Sequence, residues 1–139
     1  MVLDNAISKR IERIDETLKR LIQIKELSLD DFLNDWKSQD AALHNLQIAI
    51  EGCLDIGNHL LSSIGSKAPE SYVQIVEILV SEKILPSDFA ETAKNMAKFR
   101  NLIVHEYLHI DIEKVYSFLL SIEDIRKFVK YLVIHIEKK

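Results

Sequence analysis

Apolar residues recur at helical spacing along almost the entire chain, and this periodicity is the feature that most limits the fold. Aliphatic residues in the first segment alternate at spacings of four and three: Ile7, Ile11, Ile14, Leu18 and Leu21. This spacing places them on one narrow face of an α-helix. The chain also has only 3 Gly and 2 Pro residues, too few for the many turns of an all-β fold. The sequence therefore predicts an all-α fold.

Turn and capping signals divide this pattern into segments. We expect helices over residues 3–26, over 29–64 (one helix, or a short one followed by a long one), over 70–81, from a cap at Ser87 to about residue 104, and from a cap at Asp111 to the end of the chain. Ser28 should cap the helix that starts near Leu29. There is no strand pattern, internal repeat or linker long enough to divide domains. We therefore expect an up-and-down bundle of about five to six helices, in a single domain covering residues 1–139.

The three glycines have different expected roles. Gly52 and Gly57 lie inside a helical pattern, where each costs about 1 kcal/mol relative to Ala. Close approach of a neighbouring helix would explain both. Gly65 is placed to end its helix in a left-handed conformation.

Charge and cysteine content limit the possible partners and compartment. The net charge of −4 argues against non-specific nucleic-acid binding over the whole surface, but residues 92–105 hold three cations and no acid. Such a run can be a solvated helix face or a local basic site. The lone Cys53 excludes an internal disulfide and suits a reducing compartment. The N-terminal segment lacks a signal-peptide pattern, and the longest uncharged run, residues 56–66, is shorter than the ~20 residues that span a bilayer. We expect a cytoplasmic protein without a membrane span or a cofactor.

Two motifs overlap in the segment KFRNLIVHEYLHID, residues 98–111. The first is His-Glu-x-x-His, which would place His105 and His109 on one helix face around zinc, with Glu106 polarising a bound water. Glu123 could supply a third ligand. However, residues 110–111 look like a helix boundary, whereas a zinc-binding helix should continue past its second histidine. A zinc hydrolase is therefore kept only as a minor alternative.

The second motif is Arg100, four residues, His105, one residue and Tyr107. It resembles the Arg-x4-His-x-Tyr motif of the HEPN superfamily, specifically of its HepT-like toxins. The amphipathic first helix and the segments SYVQIVEILV, MAKFRNLIVHEY and IDIEKVY also follow in the order found in that family. The resemblance covers nearly the whole chain.

This resemblance implies a metal-independent endoribonuclease toxin that forms a homodimer of helical bundles. Matched by position, Arg100 and His105 would be catalytic and Asn101 would be the supporting polar residue. Tyr107 would be the site to which a small nucleotidyltransferase antitoxin attaches AMP. RNA would be the substrate. An alternative is a non-catalytic helical interaction module that binds a nucleotidyltransferase partner.

The chemistry of the residues is compatible with RNA cleavage. Histidine can shuttle protons at neutral pH, and arginine presents a fork of donors that matches phosphate oxygens. The same two residue types near a helix end can instead satisfy free carbonyls and the helix dipole. Residues five apart on an ideal helix point about 140° from each other. Either the helix ends or distorts between Arg100 and His105, or Arg100 reaches around it, or the two residues complete a site across a dimer interface. We favour the dimer interface.

Overall fold

The helical pattern of the sequence forms seven α-helices within residues 4–138, the part of the chain that this computed structural model describes. They are α1 (Asn5–Lys25), α2 (Leu29–Leu33), α3 (Trp36–Ser63), α4 (Tyr72–Ser81), α5 (Ala90–His105), α6 (Ile112–Leu119) and α7 (Glu123–Glu137). Two 3₁₀ turns, Ser87–Phe89 and Tyr107–His109, precede and follow α5. No β-strand occurs among the described residues. The predicted all-α fold is confirmed.

Several boundaries lie where local capping signals predicted them. The Ser28 side chain accepts a hydrogen bond from the Asp31 N–H at 3.1 Å, and a short helix followed by a long one occupies the second segment. Gly65 has a φ of 73° just after the end of α3, the predicted left-handed conformation. Asp111 caps α6 by accepting a hydrogen bond from the Glu113 N–H at 3.0 Å. Capping residues predict these helix boundaries because each of them acts on the backbone within one turn of the chain.

Two predicted helix starts are wrong by a few residues. α4 begins at Tyr72 rather than residue 70, because the Ser71 side chain caps it through the Gln74 N–H at 3.1 Å. Ser87 does not cap α5 with its side chain. Instead it opens a 3₁₀ turn in which the Phe89 N–H donates to the Pro86 carbonyl at 3.0 Å. This tighter turn carries the Phe89 ring into the core.

The last predicted helix is two helices, α6 and α7, which raises the helix count above the expected five to six. Between them the backbone bonds shorten to three-residue spacing, as in the bond from the Ser121 N–H to the Phe118 carbonyl at 3.0 Å. Leu119, Ile122 and Ile125 are all buried across this break. The buried positions therefore keep a helical spacing although the helix itself is interrupted.

α3 is the centre of the bundle, and every other α-helix packs against it. Both of its glycines face neighbouring helices, as predicted. A Cβ built on Gly52 would lie 2.7 Å from Cγ1 of Ile14 on α1, and one built on Gly57 would lie 2.7 Å from Cδ1 of Leu79 on α4. α3 can therefore approach α1 and α4 closely, which also brings its polar positions near the ends of α4 and α5.

None of the helices within residues 4–138 combines the length and apolar character needed to cross a membrane.

Candidate active site

Three of the four predicted site residues line one pocket of about 400 Å³. Arg100, Asn101 and His105 form its α5 side, and the rest of its wall consists of residues 69–72, Asn58 and Ile75. His105 is the last residue of α5 and is exposed, while the longer Arg100 side chain is half-buried. Both residues therefore line the pocket from one chain. The second subunit that the ideal-helix geometry suggested is not needed to bring them together.

The Arg100 guanidinium is fixed by contacts from three helices. Its Nε donates to Glu51 Oε2 on α3 at 2.7 Å, and its Nη1 donates to Asn101 Oδ1 at 3.2 Å. Its Cζ lies 4.6 Å from the ring centroid of Tyr72, the first residue of α4. A cation over an aromatic face and a charge-assisted hydrogen bond both restrain the plane of the group.

A second acid, Asp55, lies one helical turn after Glu51 in the same charge cluster. Burial raises the pKa of Asp55 above its usual value, the Arg10 charge opposes this, and the Glu51 charge adds to it. Burial also raises the pKa of Tyr72, and the Asp55 charge contributes to that shift. The α3 side of the pocket therefore carries negative charge directly behind Arg100.

Tyr107 does not line this pocket. It lies in the 3₁₀ turn two residues after His105, is 46% exposed, and donates its hydroxyl hydrogen bond to Asp40 Oδ1 at 3.3 Å. Partial desolvation raises the pKa of Tyr107, and the charge and hydrogen bond of Asp40 raise it further. The phenol is thus accessible from solvent and sits at the end of α5.

The described residues do not assemble the alternative zinc site. α5 ends at His105, so His109 lies beyond the helix in the 3₁₀ turn rather than one turn along the same face. Glu123 begins α7, where it pairs with Arg126 at 3.7 Å. Within residues 4–138, no three or more His, Cys, Asp or Glu side chains are grouped so that they could hold a metal ion.

Two residues that hold Arg100, Glu51 and Tyr72, were not predicted from the sequence. One signal for Glu51 was available: Glu51 and Asp55 are the only charged residues between Ala41 and Gly65, and they are four apart on one helix. Two isolated acids on one face of an otherwise uncharged stretch of helix suggest a cation from elsewhere in the fold. No local pattern marks Tyr72, because its contact with Arg100 is made only in the folded structure.

Comparison with known families decides which of the overlapping motifs identifies the chain. The profile of a family described as "Ribonuclease HepT-like" matches residues 7–132. The chain belongs to the HepT-like family. The matched range begins within α1, ends within α7 and includes all four residues of the predicted site.

Individual relatives agree with this membership. An mRNA nuclease HepT from Shewanella oneidensis is 26% identical over 128 residues, which are 91% of this chain and 96% of that protein. A tRNA nuclease HepT from Aphanizomenon flos-aquae is 32% identical over 111 residues, covering 79% of this chain and 75% of the relative.

A solved structure shows the same HepT-like fold in an assembly. It is the tri-AMPylated HEPN toxin of Shewanella oneidensis in complex with an MNT antitoxin. It aligns with a TM-score of 0.86 and 25% sequence identity, over 95% of this chain and 99% of that one.

Proposed function

We propose that this HepT-like chain is a metal-independent endoribonuclease toxin in which Arg100 and His105 cleave RNA. The observation that carries the proposal is their shared pocket, in which a fixed guanidinium and an accessible imidazole lie on one wall. The names of the two HepT relatives, an mRNA nuclease and a tRNA nuclease, support RNA as the substrate class. Residues 1–139 would act as one HEPN-like domain.

The proposed reaction needs two proton transfers and stabilisation of negative charge. The 2′-oxygen of a ribose attacks the adjacent phosphorus and loses its proton, and the bond from phosphorus to the 5′-oxygen breaks as that oxygen gains a proton. His105 is exposed in the pocket and is the group suited to proton transfer near neutral pH. Arg100 supplies donors to the phosphate oxygens as charge builds up on them. Asn101 restrains Arg100 through the 3.2 Å hydrogen bond.

This mechanism predicts the ends of the products. Attack by the 2′-oxygen leaves a 2′,3′-cyclic phosphate on one fragment and a 5′-hydroxyl on the other. Wild-type protein should produce these ends from a short RNA in the presence of EDTA, as read by mass spectrometry. RNA with 2′-O-methyl groups should remain intact, because the attacking oxygen is blocked. Fragments with 3′-hydroxyl and 5′-phosphate ends would contradict the mechanism.

We also propose that Tyr107 is the residue to which a nucleotidyltransferase antitoxin attaches AMP. The AMPylated toxin in the related complex supports this, together with the exposure of the Tyr107 hydroxyl. An AMP group would add bulk and negative charge two residues from His105, and it would repel the phosphates of RNA. Co-expression with the antitoxin should add the mass of one or more AMP units to Tyr107 and none to Tyr116. Adducts that persist unchanged in Tyr107→Phe would contradict this assignment.

A further inference from the structure

Glu51 forms the most shielded ion pair in the part of the chain that the structure describes. Its carboxylate lies 2.7 Å from Arg100 Nε, and the two side chains are 24% and 20% exposed. In each of the other ion pairs between described residues, at least one side chain is about half exposed or more. The charged atoms of these pairs are 3.3 to 4.0 Å apart. Exposed pairs of that kind contribute little, whereas a short, shielded pair restricts both side chains.

The direction from which Glu51 approaches Arg100 determines whether the guanidinium can still bind another anion. Glu51 contacts only the Nε edge, at 2.7 Å, and the Tyr72 ring covers one face of the guanidinium. Asn101 accepts from Nη1, while Nη2 makes no hydrogen bond with any of residues 4–138. A carboxylate that blocked Arg100 would take both nitrogens of its outer edge, as bidentate pairs do. Here the outer edge keeps donors for another anion.

The pocket supplies the place for that anion. Arg100 and His105 are both on its wall, whereas Glu51 is behind Arg100 and does not line the pocket. The acid therefore anchors the inner edge of the guanidinium on α3, and Tyr72 fixes its plane from α4. Alignment of this kind matters in catalysis because small displacements of a reacting or charge-stabilising group are costly.

We propose that Glu51 is a positioning residue that aims the outer edge of Arg100 at the scissile phosphate beside His105. The inference rests on the proposed ribonuclease function, and it goes beyond the Arg-x4-His-x-Tyr motif by adding an acid on α3 to the working site. Glu51 acts through Arg100 and does not itself touch RNA.

The test compares Glu51→Ala and Glu51→Gln with wild type and with Glu77→Ala. Glu77 is the matched control because it also pairs with a cation of α5, Lys94, but at 3.9 Å and on the surface. Glu51→Ala should slow single-turnover cleavage on the order of 10²-fold, because Arg100 loses its alignment. Binding of uncleavable 2′-O-methyl RNA should change far less. Glu51→Gln should recover part of the rate, since its amide oxygen can accept from Nε, and Glu77→Ala should match wild type.

Two further measurements show whether Glu51 acts through Arg100. The Arg100 Nε–H signal in a ¹H–¹⁵N spectrum should be protected from exchange in wild type and in Glu77→Ala, and should lose protection in Glu51→Ala. In an Arg100→Lys background, which lacks the Nε donor, Glu51→Ala should have little additional effect on the remaining rate.

Different results would overturn the inference in distinguishable ways. Wild-type rates in Glu51→Ala would show that no positioning is needed. Faster cleavage or tighter RNA binding would show that Glu51 competes with phosphate. Equal losses in Glu51→Ala and Glu51→Gln that follow a lower Tm would indicate a purely structural pair. A wild-type protein that cuts no RNA would overturn the proposed function and this inference with it, whereas the other results leave the proposed function in place.

Discussion

At the scale of single residues, the pocket combines one fixed cation with a cluster of acids behind it. Arg100 is held by Glu51 at 2.7 Å, and the charge of Asp55 lies one turn further along α3. This arrangement gives a chain of net charge −4 a local donor group for phosphate. Glu51 keeps the guanidinium in place, and neither acid lines the pocket that Arg100 shares with His105.

Asp55 provides a prediction of pH dependence. Its pKa is raised in the folded protein, chiefly by burial, so the folded state holds the proton to a higher pH than the unfolded state does. Stability is therefore lost as the pH rises from the ordinary value of 3.8 through this raised pKa. Asp55→Asn should increase the free energy of unfolding at pH 7, and the gain over wild type should disappear below about pH 4.

Urea unfolding of both proteins between pH 3 and 8 measures this difference. Asp88→Asn is the control, since it removes one negative charge from an exposed position. A gain at pH 7 that is equal in both variants would reflect net charge alone and contradict the burial argument.

The residues of the motif could be predicted from the sequence, but the residues that contact them in the folded protein could not. The types and spacing of Arg100, Asn101 and His105 placed all three in one expected site, and the structure brings them to one pocket. Glu51 is 49 residues away from Arg100 in sequence, so only packing of α3 against α5 brings the two together. The ideal-helix angle favoured a dimer interface, whereas the alternatives of a helix end and of a long arginine side chain agree with the structure, in which α5 ends at His105.

At the scale of helices, the position of the site depends on how closely α3 approaches its neighbours. Gly52 follows Glu51 directly and faces Ile14 of α1, while Gly57 faces Leu79 of α4. The absence of side chains at these two positions lets α3 lie between α1 and α4. The same packing brings Glu51 to the Nε atom of Arg100 and the Tyr72 ring to one face of its guanidinium.

Gly52→Ala should destabilise the protein by about 1 kcal/mol, because overpacking of about 1–3 kcal/mol exceeds the helix gain of about 1 kcal/mol. The added Cβ would meet the middle of the Ile14 side chain, which is buried. Gly57→Ala should cost less, since it meets the free end of Leu79. Chemical denaturation of the two variants tests this order. A Gly52→Ala protein at least as stable as wild type would show that α1 can move away without cost.

Several helix boundaries were predictable from local caps, although the caps of α4 and α5 were not, and the prediction also failed where burial alone continued the pattern. Ser28, Gly65 and Asp111 each end or begin a helix through bonds within a few residues. The break between α6 and α7 has no glycine or proline to announce it, and its buried residues keep helical spacing. Periodicity of burial therefore reports which side faces the core, but not whether the helix is continuous.

At the scale of the whole molecule, we predict that the protein is a homodimer, as the family resemblance implied. Light scattering after size exclusion should give twice the 16.1 kDa of the chain. Because Arg100 and His105 reach the pocket from one chain, dimer formation would serve to place two pockets along one RNA rather than to complete either of them. A mass of one chain at every concentration measured would contradict this prediction.

The proposed ribonuclease activity requires joint action of Arg100 and His105 on one phosphodiester. The most direct measurement is the single-turnover rate of RNA cleavage in EDTA by wild type, Arg100→Ala, His105→Ala and the control His109→Ala, which alters a histidine outside the pocket. We expect cleavage by wild type and His109→Ala, and loss of at least about 10²-fold in each of the other two variants. Undiminished cleavage by His105→Ala, or cleavage that disappears with EDTA, would contradict it.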